Sequence, residues 1–239
     1  MFSEITQKNK LEILGKLTAS LSHEVRNPLS AIKLNLDFMK LSSQPMDDEM
    51  KESIDSCIDG VHRIESLIEN ILSFSRKSRN NDTYVCVNEI TETAISLSLA
   101  KAKKENIEIY TEYQNSLPKI NFSKSNLLQV FLNLLTNAIE ACEGKRGAIK
   151  IKSFSDVSAN GENVIWEITD NGIGIKDENK SKIFGEFFTN KDNGTGIGLT
   201  VCRNMLEEKN ANLEFKSEYG QGTTFRVVFN SGEITNHDE

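Results

Sequence analysis

The chain has 239 residues, of which 38% are hydrophobic and 26% charged, with a formal net charge of −7. This is an ordinary globular composition with length for one or two domains, and its acidic balance argues against a nucleic-acid surface. No apolar run approaches the ~18 residues of a membrane span, and the polar N-terminus lacks a signal-peptide core. Cys57, Cys86, Cys142 and Cys202 have no metal-ligand spacing and read as reduced thiols of a cytoplasmic protein.

From about residue 3 to residue 41, apolar residues recur at Leu14, Leu17, Leu21, Val25, Leu29, Ile32, Leu36 and Met39. Spacings of three and four predict a long amphipathic helix packed in a bundle. His23 and Asn27 are one turn apart on it, off the apolar seam, with Glu24 beside them. Pro28 removes the amide that would bond the Glu24 carbonyl, so the turn there is loosened. Ser42-Ser43-Gln44-Pro45 breaks the pattern. A second helix, with Ile54, Ile58, Val61, Ile64, Ile68 and Ile71 on its seam, runs to about Arg79. One such hairpin exposes an apolar stripe too long to leave in water. Pairing with a second copy in a four-helix bundle buries it, which predicts a homodimer.

Asn80-Asn81-Asp82-Thr83 is polar and reads as a linker, and beyond it the pattern changes. Helices are expected over 87–104, from Ser123 to about Cys142, and over 197–209. Strands are expected over 107–113, 148–154, 164–169, 213–218 and 223–229. The resulting architecture is α+β. A helical hairpin over 1–80 precedes an α/β sandwich over 83–230, with one sheet of four or five strands and helices on one face. Residues 231–239 read as a disordered tail.

The second domain carries four spaced signals. Asn133 and Asn137 put two amides on one face of an apolar helix, where they suit either a core edge or Mg²⁺ with phosphate oxygens. Asp170-Asn171-Gly172-Ile173-Gly174 follows a strand; its carboxylate can accept a hydrogen bond from an exocyclic amine such as that of adenine. Gly194-Thr195-Gly196-Ile197-Gly198 opens a helix, whose free amides can cradle phosphates. Between them, Phe184, Phe187 and Phe188 make sense as apolar anchors of a lid, with Lys191 as a charge partner near phosphates. Each signal alone is weak.

In this order and at these separations the chain resembles the sensor histidine kinases of two-component signalling, over about residues 10–230. His23–Leu29 resembles that family's phospho-acceptor box, Asn133/Asn137 its asparagine box, Asp170–Gly174 and Gly194–Leu199 its glycine boxes, and Phe184–Phe188 its phenylalanine box. The wording of the lid is closest to the nitrogen-regulation and acetoacetate-sensor branch. The resemblance implies a dimerisation and histidine-phosphotransfer hairpin followed by a Bergerat-type ATP-binding domain. It implies His23 as the nucleophile toward ATP, with Glu24 holding the proton of the other ring nitrogen. It implies Mg²⁺ on Asn137 with help from Asn133, and adenine read by Asp170, with Gly172 and Gly174 admitting the ligand. Phosphates would fall to Thr195, Gly196 and Gly198, with Lys191 and Phe188 in the lid and Thr223 or Thr224 supporting Asp170 through water.

The implied function is autophosphorylation of His23 and transfer to an aspartate of a response regulator. Asn27, one turn after the histidine, implies a regulator phosphatase as well. The rival readings are a Bergerat-type ATPase and a non-catalytic nucleotide-binding dimeric scaffold. A hydrolytic ATPase needs a helix glutamate where Asn133 stands, and an amide cannot act as the base.

Overall fold

A computed structural model describes residues 25, 29–40, 47–75, 82–142, 144, 146–158, 161–185, 188–189, 198–230 and 234–235; for 59, 62, 63, 65–75, 158 and 234–235 it describes the backbone alone. The molecule divides into two units near residue 80.

The first unit contains helix α1, described over 29–40, and helix α2, Asp48–Ser75. Asp48 and Glu49 occupy the first turn of α2, where carboxylates complement the helix dipole. Leu29 and Val61 are buried against each other with Val25 beside them, and Ile54 is buried further along. Lys40 and Asp55 add an ion pair at 2.5 Å between the helices. Not every seam residue is covered: Ile32 is 48% exposed and Met39 52%, and Phe38, Met50 and Ile64 also face outward.

The second unit is a two-layer α/β sandwich. Strands β2 (Ile107–Tyr113), β4 (Gly147–Ser158), β5 (Gly161–Asp170), β7 (Gly222–Phe229) and β6 (Asn212–Glu218) form one sheet in the order β2-β4-β5-β7-β6. Only β2 and β4 run parallel. The connection between them contains helix α4, Lys124–Ala141, as parallel strands require a crossover. Leu127, Val130, Phe131, Leu134, Leu135, Ala138 and Ile139 form the buried stripe of α4 at three- and four-residue spacing. Helices α3 (Val87–Lys104) and α6 (Gly198–Glu207) pack beside it, and a single turn, α5, covers Asp177–Lys180.

Strand alternation assigns the two faces of the sheet. Val164, Trp166, Ile168, Phe225, Val227 and Phe229 are buried in the core under the helices. The opposite face carries Glu112 between Lys150 (2.5 Å) and Lys152 (3.3 Å), and Arg226 against Glu167 (2.8 Å). The exposed pairs of Glu112 contribute little stability.

Three short strands depart from the sequence reading. β1 (Asp82–Val85), β3 (Lys119–Ser123) and β8 (Ile234–Thr235) form a second small sheet in the order β1-β3-β8. Asp82 and Thr83 are therefore strand rather than linker, and an ion pair joins Asp82 to Lys209. Residues 234–235, expected within a disordered tail, pair with Ile120 and Lys119. Ser123 stands at the start of α4, but its hydroxyl meets Ser125 rather than capping the helix.

One polar contact inside the core fixes how α3, α4 and β5 meet. The Trp166 indole lies flat on Phe131, with centroids 4.1 Å apart and planes 7° from parallel. Its N–H donates to the Thr91 hydroxyl at 2.9 Å, and that hydroxyl donates to the Val87 carbonyl at 2.8 Å. Both side chains are buried, so the indole has no water to turn to. Thr91→Val keeps the volume and removes the acceptor. It should lower the unfolding free energy by about 1–3 kcal/mol, with Thr91→Ser close to wild type, in urea unfolding followed by the fluorescence of Trp166.

Candidate functional site

The site is built where β5 ends. Asp170 is 6% exposed and lies in register with Ile149 on β4 and Thr223 on β7. Its Oδ1 accepts two backbone N–H donors, from Gly172 at 2.8 Å and from Thr223 at 3.2 Å. The loop after it is held from the other side. The Ile173 amide donates to the Ala141 carbonyl at 2.9 Å, and Asn171 Oδ1 accepts the Ala148 amide at 2.8 Å and the Cys142 thiol at 3.4 Å. The carboxylate is thus held at a fixed place and angle, which directional reading of a ligand requires.

Sequence reasoning treats Thr223 and Thr224 as equivalent helpers acting through water. The register separates them. Thr223 is buried beside Asp170 and reaches it directly through its amide. Thr224 points to the opposite face of the sheet, where its hydroxyl lies 2.9 Å from that of Thr169. Alternation along β7 excludes Thr224 from this site.

Gly172 and Gly174 are accounted for by the fold itself. A Cβ on Gly172 would stand 2.5 Å from the Ala141 carbonyl oxygen, and one on Gly174, with φ at +65°, 2.1 Å from that of Glu218. Close backbone approach within the protein demands glycine at both places.

Asn133 and Asn137 are half-buried on one face of α4. The Asn133 Nδ2 donates to Cys202 Sγ at 3.6 Å, and that thiol lies 3.9 Å from the Val130 carbonyl. Anchoring the amide nitrogen on sulfur turns the amide oxygen the other way. Burial pushes the Cys202 thiol up to about 12, against a smaller opposing pull from Asn133, so it stays a neutral thiol. A Cβ built on Gly198, at the start of α6, would stand 3.9 Å from the Asn133 side chain. The structure therefore joins Asn133 to α6. No group of three or more His, Cys, Asp or Glu is placed for metal binding among the described residues. A cation here would take amide oxygens, phosphates and water, a donor set that fits Mg²⁺.

Phe184 and Phe188 both pack against the domain core. Thr200 on α6 donates to the carbonyls of Phe184 (3.2 Å) and Gly185 (3.3 Å), and Phe184 meets Phe215 edge-on at 5.7 Å. His23, Glu24, Asn27, Lys191, Thr195 and Gly196 lie outside the described residues.

Three residues that the sequence reading passes over belong to this neighbourhood: Ser217, Gly222 and Cys202. Ser217 receives the Ile175 amide at 2.8 Å and contacts Gly222 and Thr223. In the sequence, Glu218-Tyr219-Gly220-Gln221-Gly222 shows only a turn, and nothing marks the serine before it.

A buried carboxylate at a sheet end, two asparagines on a helix of the same unit and, in the sequence, a glycine-rich run before α6 mark a nucleotide-binding α/β domain that follows a helical unit. Residues 123–233 match the family model described as histidine kinase-, DNA gyrase B- and HSP90-like ATPase, and residues 13–80 match that of the His Kinase A (phospho-acceptor) domain. The chain belongs to the histidine kinases, of which it carries the phospho-acceptor and ATP-binding modules. It is 32% identical over 225 residues to the signal transduction histidine-protein kinase AtoS of Escherichia coli (strain K12), covering 94% of this chain and 36% of that protein. Among solved structures it resembles the catalytic domain of histidine kinase ThkA, with 32% identity, a TM-score of 0.55, and 63% of this chain and 95% of that one covered. ThkA in complex with the response regulator TrrA matches with 28% identity, a TM-score of 0.66, and 95% of this chain and 64% of that one covered. The chain spans about a third to a half of the length of the curated relatives it matches.

The geometry of the β6–β7 turn yields a ranking. Gly222 has φ at +117°, and a Cβ there would stand 2.0 Å from the Asp170 carbonyl oxygen, whereas Gly220 (φ +85°) faces open space. Gly222→Ala should cost about 3 kcal/mol or more of unfolding free energy and Gly220→Ala about 1 kcal/mol, as read from urea unfolding of the two variants side by side.

Proposed function

We propose that this protein is an ATP-dependent autokinase that phosphorylates His23 and passes the phosphoryl group to an aspartate of a response regulator. The observation that carries this reading is Asp170, a buried carboxylate pinned by two backbone amides, in a chain that also matches the phospho-acceptor module. The complex of ThkA with TrrA supports a receiver domain as the partner. ATP supplies the phosphoryl group, and the protein's contribution is positioning and charge neutralisation. On this reading Asp170 accepts from the adenine amine, Gly198 with Thr195 and Gly196 offers backbone amides to the phosphates, and Lys191 adds a cation. Asn137 and Asn133 hold Mg²⁺ through their amide oxygens, and Phe184 and Phe188 anchor the lid to the core. Glu24 holds the proton of one imidazole nitrogen of His23, leaving the other free to attack.

Residues 1–80 are assigned to dimerisation and phosphotransfer, and 83–230 to nucleotide binding. The outward-facing Ile32, Phe38, Met39 and Ile64 of the hairpin support a homodimer, because a second hairpin would remove them from water. The four cysteines, free thiols in this structure, suit a cytoplasmic setting.

Incubation with γ-labelled ATP and Mg²⁺ should give acid-labile label on the wild-type protein and none on His23→Gln or Asp170→Asn. Label retained by His23→Gln would refute the assignment. On this reading Asn27, four residues after His23 in the sequence, aims a water at a regulator's aspartyl phosphate. Asn27→Ala should lose at least about tenfold of regulator dephosphorylation while keeping self-labelling. Equal loss of both would show that Asn27 only supports the helix.

A further inference from the structure

Helix α3 turns a face outward that solvation alone does not account for. From Thr93 to Ala100 it carries no charged residue, although Thr93, Ser96, Leu97, Leu99 and Ala100 are all exposed. Leu97 is 63% exposed and Leu99 41%. The Thr93 hydroxyl is spent on the Glu89 carbonyl at 2.9 Å, which makes the middle of the face less polar still. A helix that meets only water carries charged and polar residues along its whole outer side. Here Glu89 and Glu92 come before the bare stretch, and Lys101, Lys103 and Lys104 after it. Complementing the helix dipole explains the signs at the two ends but not the bare middle. Lys101 is committed to Glu140 at 2.7 Å, whereas among the described residues no ion pair engages Glu89, Lys103 or Lys104.

Glu89, Thr93, Ser96, Ala100 and Lys103 follow at alternating spacings of four and three, as in the seam of paired helices. Glu89 and Lys103 lie at equal distances on either side of Ser96. Turned end for end, the same helix therefore sets a lysine against a glutamate at both ends and Thr93 against Ala100. Small side chains on the seam let two backbones approach, and helical periodicity puts Leu97 and Leu99 on its two flanks. We propose that α3 is a docking face for α3 of a second copy of this chain, with the two helices antiparallel and crossing at Ser96. Charge complementarity selects this occupant and this direction. Parallel helices would set Glu89 beside Glu89 and Lys103 beside Lys103, whereas antiparallel ones set each beside its opposite. With 18 residues in α3, the two helices meet over at most about 27 Å, a contact at the small, transient end of specific interfaces. It uses none of the residues of the nucleotide reading and stands apart from it.

The test is disulfide trapping in the full chain carrying Cys57→Ser, since Cys57 is the exposed native thiol. Under mild oxidation Ser96→Cys should form a covalent dimer at least about fivefold more than Thr111→Cys, an exposed position on β2, because bridging needs the two Cα atoms within about 7 Å. Thr93→Cys and Ala100→Cys each lie too far from their own copies in the antiparallel pair. Each should link poorly alone and readily when co-expressed with the other, one of them tagged so that the mixed product separates by size. Lys103→Glu should cut linking through Ser96→Cys about threefold, and adding Glu89→Lys should restore it. If Ser96→Cys links no more than Thr111→Cys, the proposal is overturned and the face belongs to a different partner. Thr93→Cys linking to itself as readily as to Ala100→Cys overturns it too, since that is the parallel arrangement. Should Ser96→Cys fail to fold, the Thr93 and Ala100 pair decides alone.

Discussion

A carboxylate taken out of water is costly unless its oxygens are met by donors, and the architecture around Asp170 follows from meeting that demand. One oxygen takes the amides of Gly172 and Thr223, so the loop after β5 and the facing residue of β7 must both approach it. That approach forces the chain close to itself. Gly222 lies against the Asp170 backbone and Gly172 against the last turn of α4, both too tightly for a side chain. The Ile173 amide then closes the loop onto the Ala141 carbonyl. The end of α4 and the end of β5 are thereby locked together.

The same strand sets the position of the asparagine pair. Trp166 and Asp170 lie on one face of β5, an even number of residues apart. Trp166 stacks on Phe131, two positions before Asn133 along α4. The apolar stack and the polar corner thus fix one helix against one strand at two points. Along α4, Asn133 is held by the buried Cys202 thiol of α6, the helix that the second glycine loop opens. On the proposed reading, adenine, metal and phosphate contacts would come from three elements in mutual contact, an arrangement that suits a reaction governed by positioning.

Most of the large elements are legible in the sequence because their burial is periodic. The stripe of α4 and the alternation of β7 are strong enough to read residue by residue, whereas β5 begins at Gly161, before the expected strand, and buries Val164, Ile165 and Trp166 in succession. The small sheet is not. Asp82-Thr83-Tyr84-Val85 has polar residues where a linker would have them, and only its pairing with β3 makes it a strand. β8 is two residues long and exists only through its partner. Composition within so short a segment cannot reveal a hydrogen-bond ladder formed with residues far away in the chain.

The order and spacing of the histidine, asparagine, glycine and phenylalanine segments identify the family from the sequence alone, since each is a local run of residue types. What tertiary structure decided was which of two adjacent threonines lies beside Asp170, why Gly172 and Gly174 are glycines, and that Ser217 and Cys202 belong to the neighbourhood. Strand register chose Thr223 over Thr224, backbone-to-backbone contact accounted for the glycines, and a hydrogen-bond path across three segments brought in Ser217. Register, close contact and hydrogen bonding across strands are relations between segments distant in the chain, and no local pattern of residues encodes them.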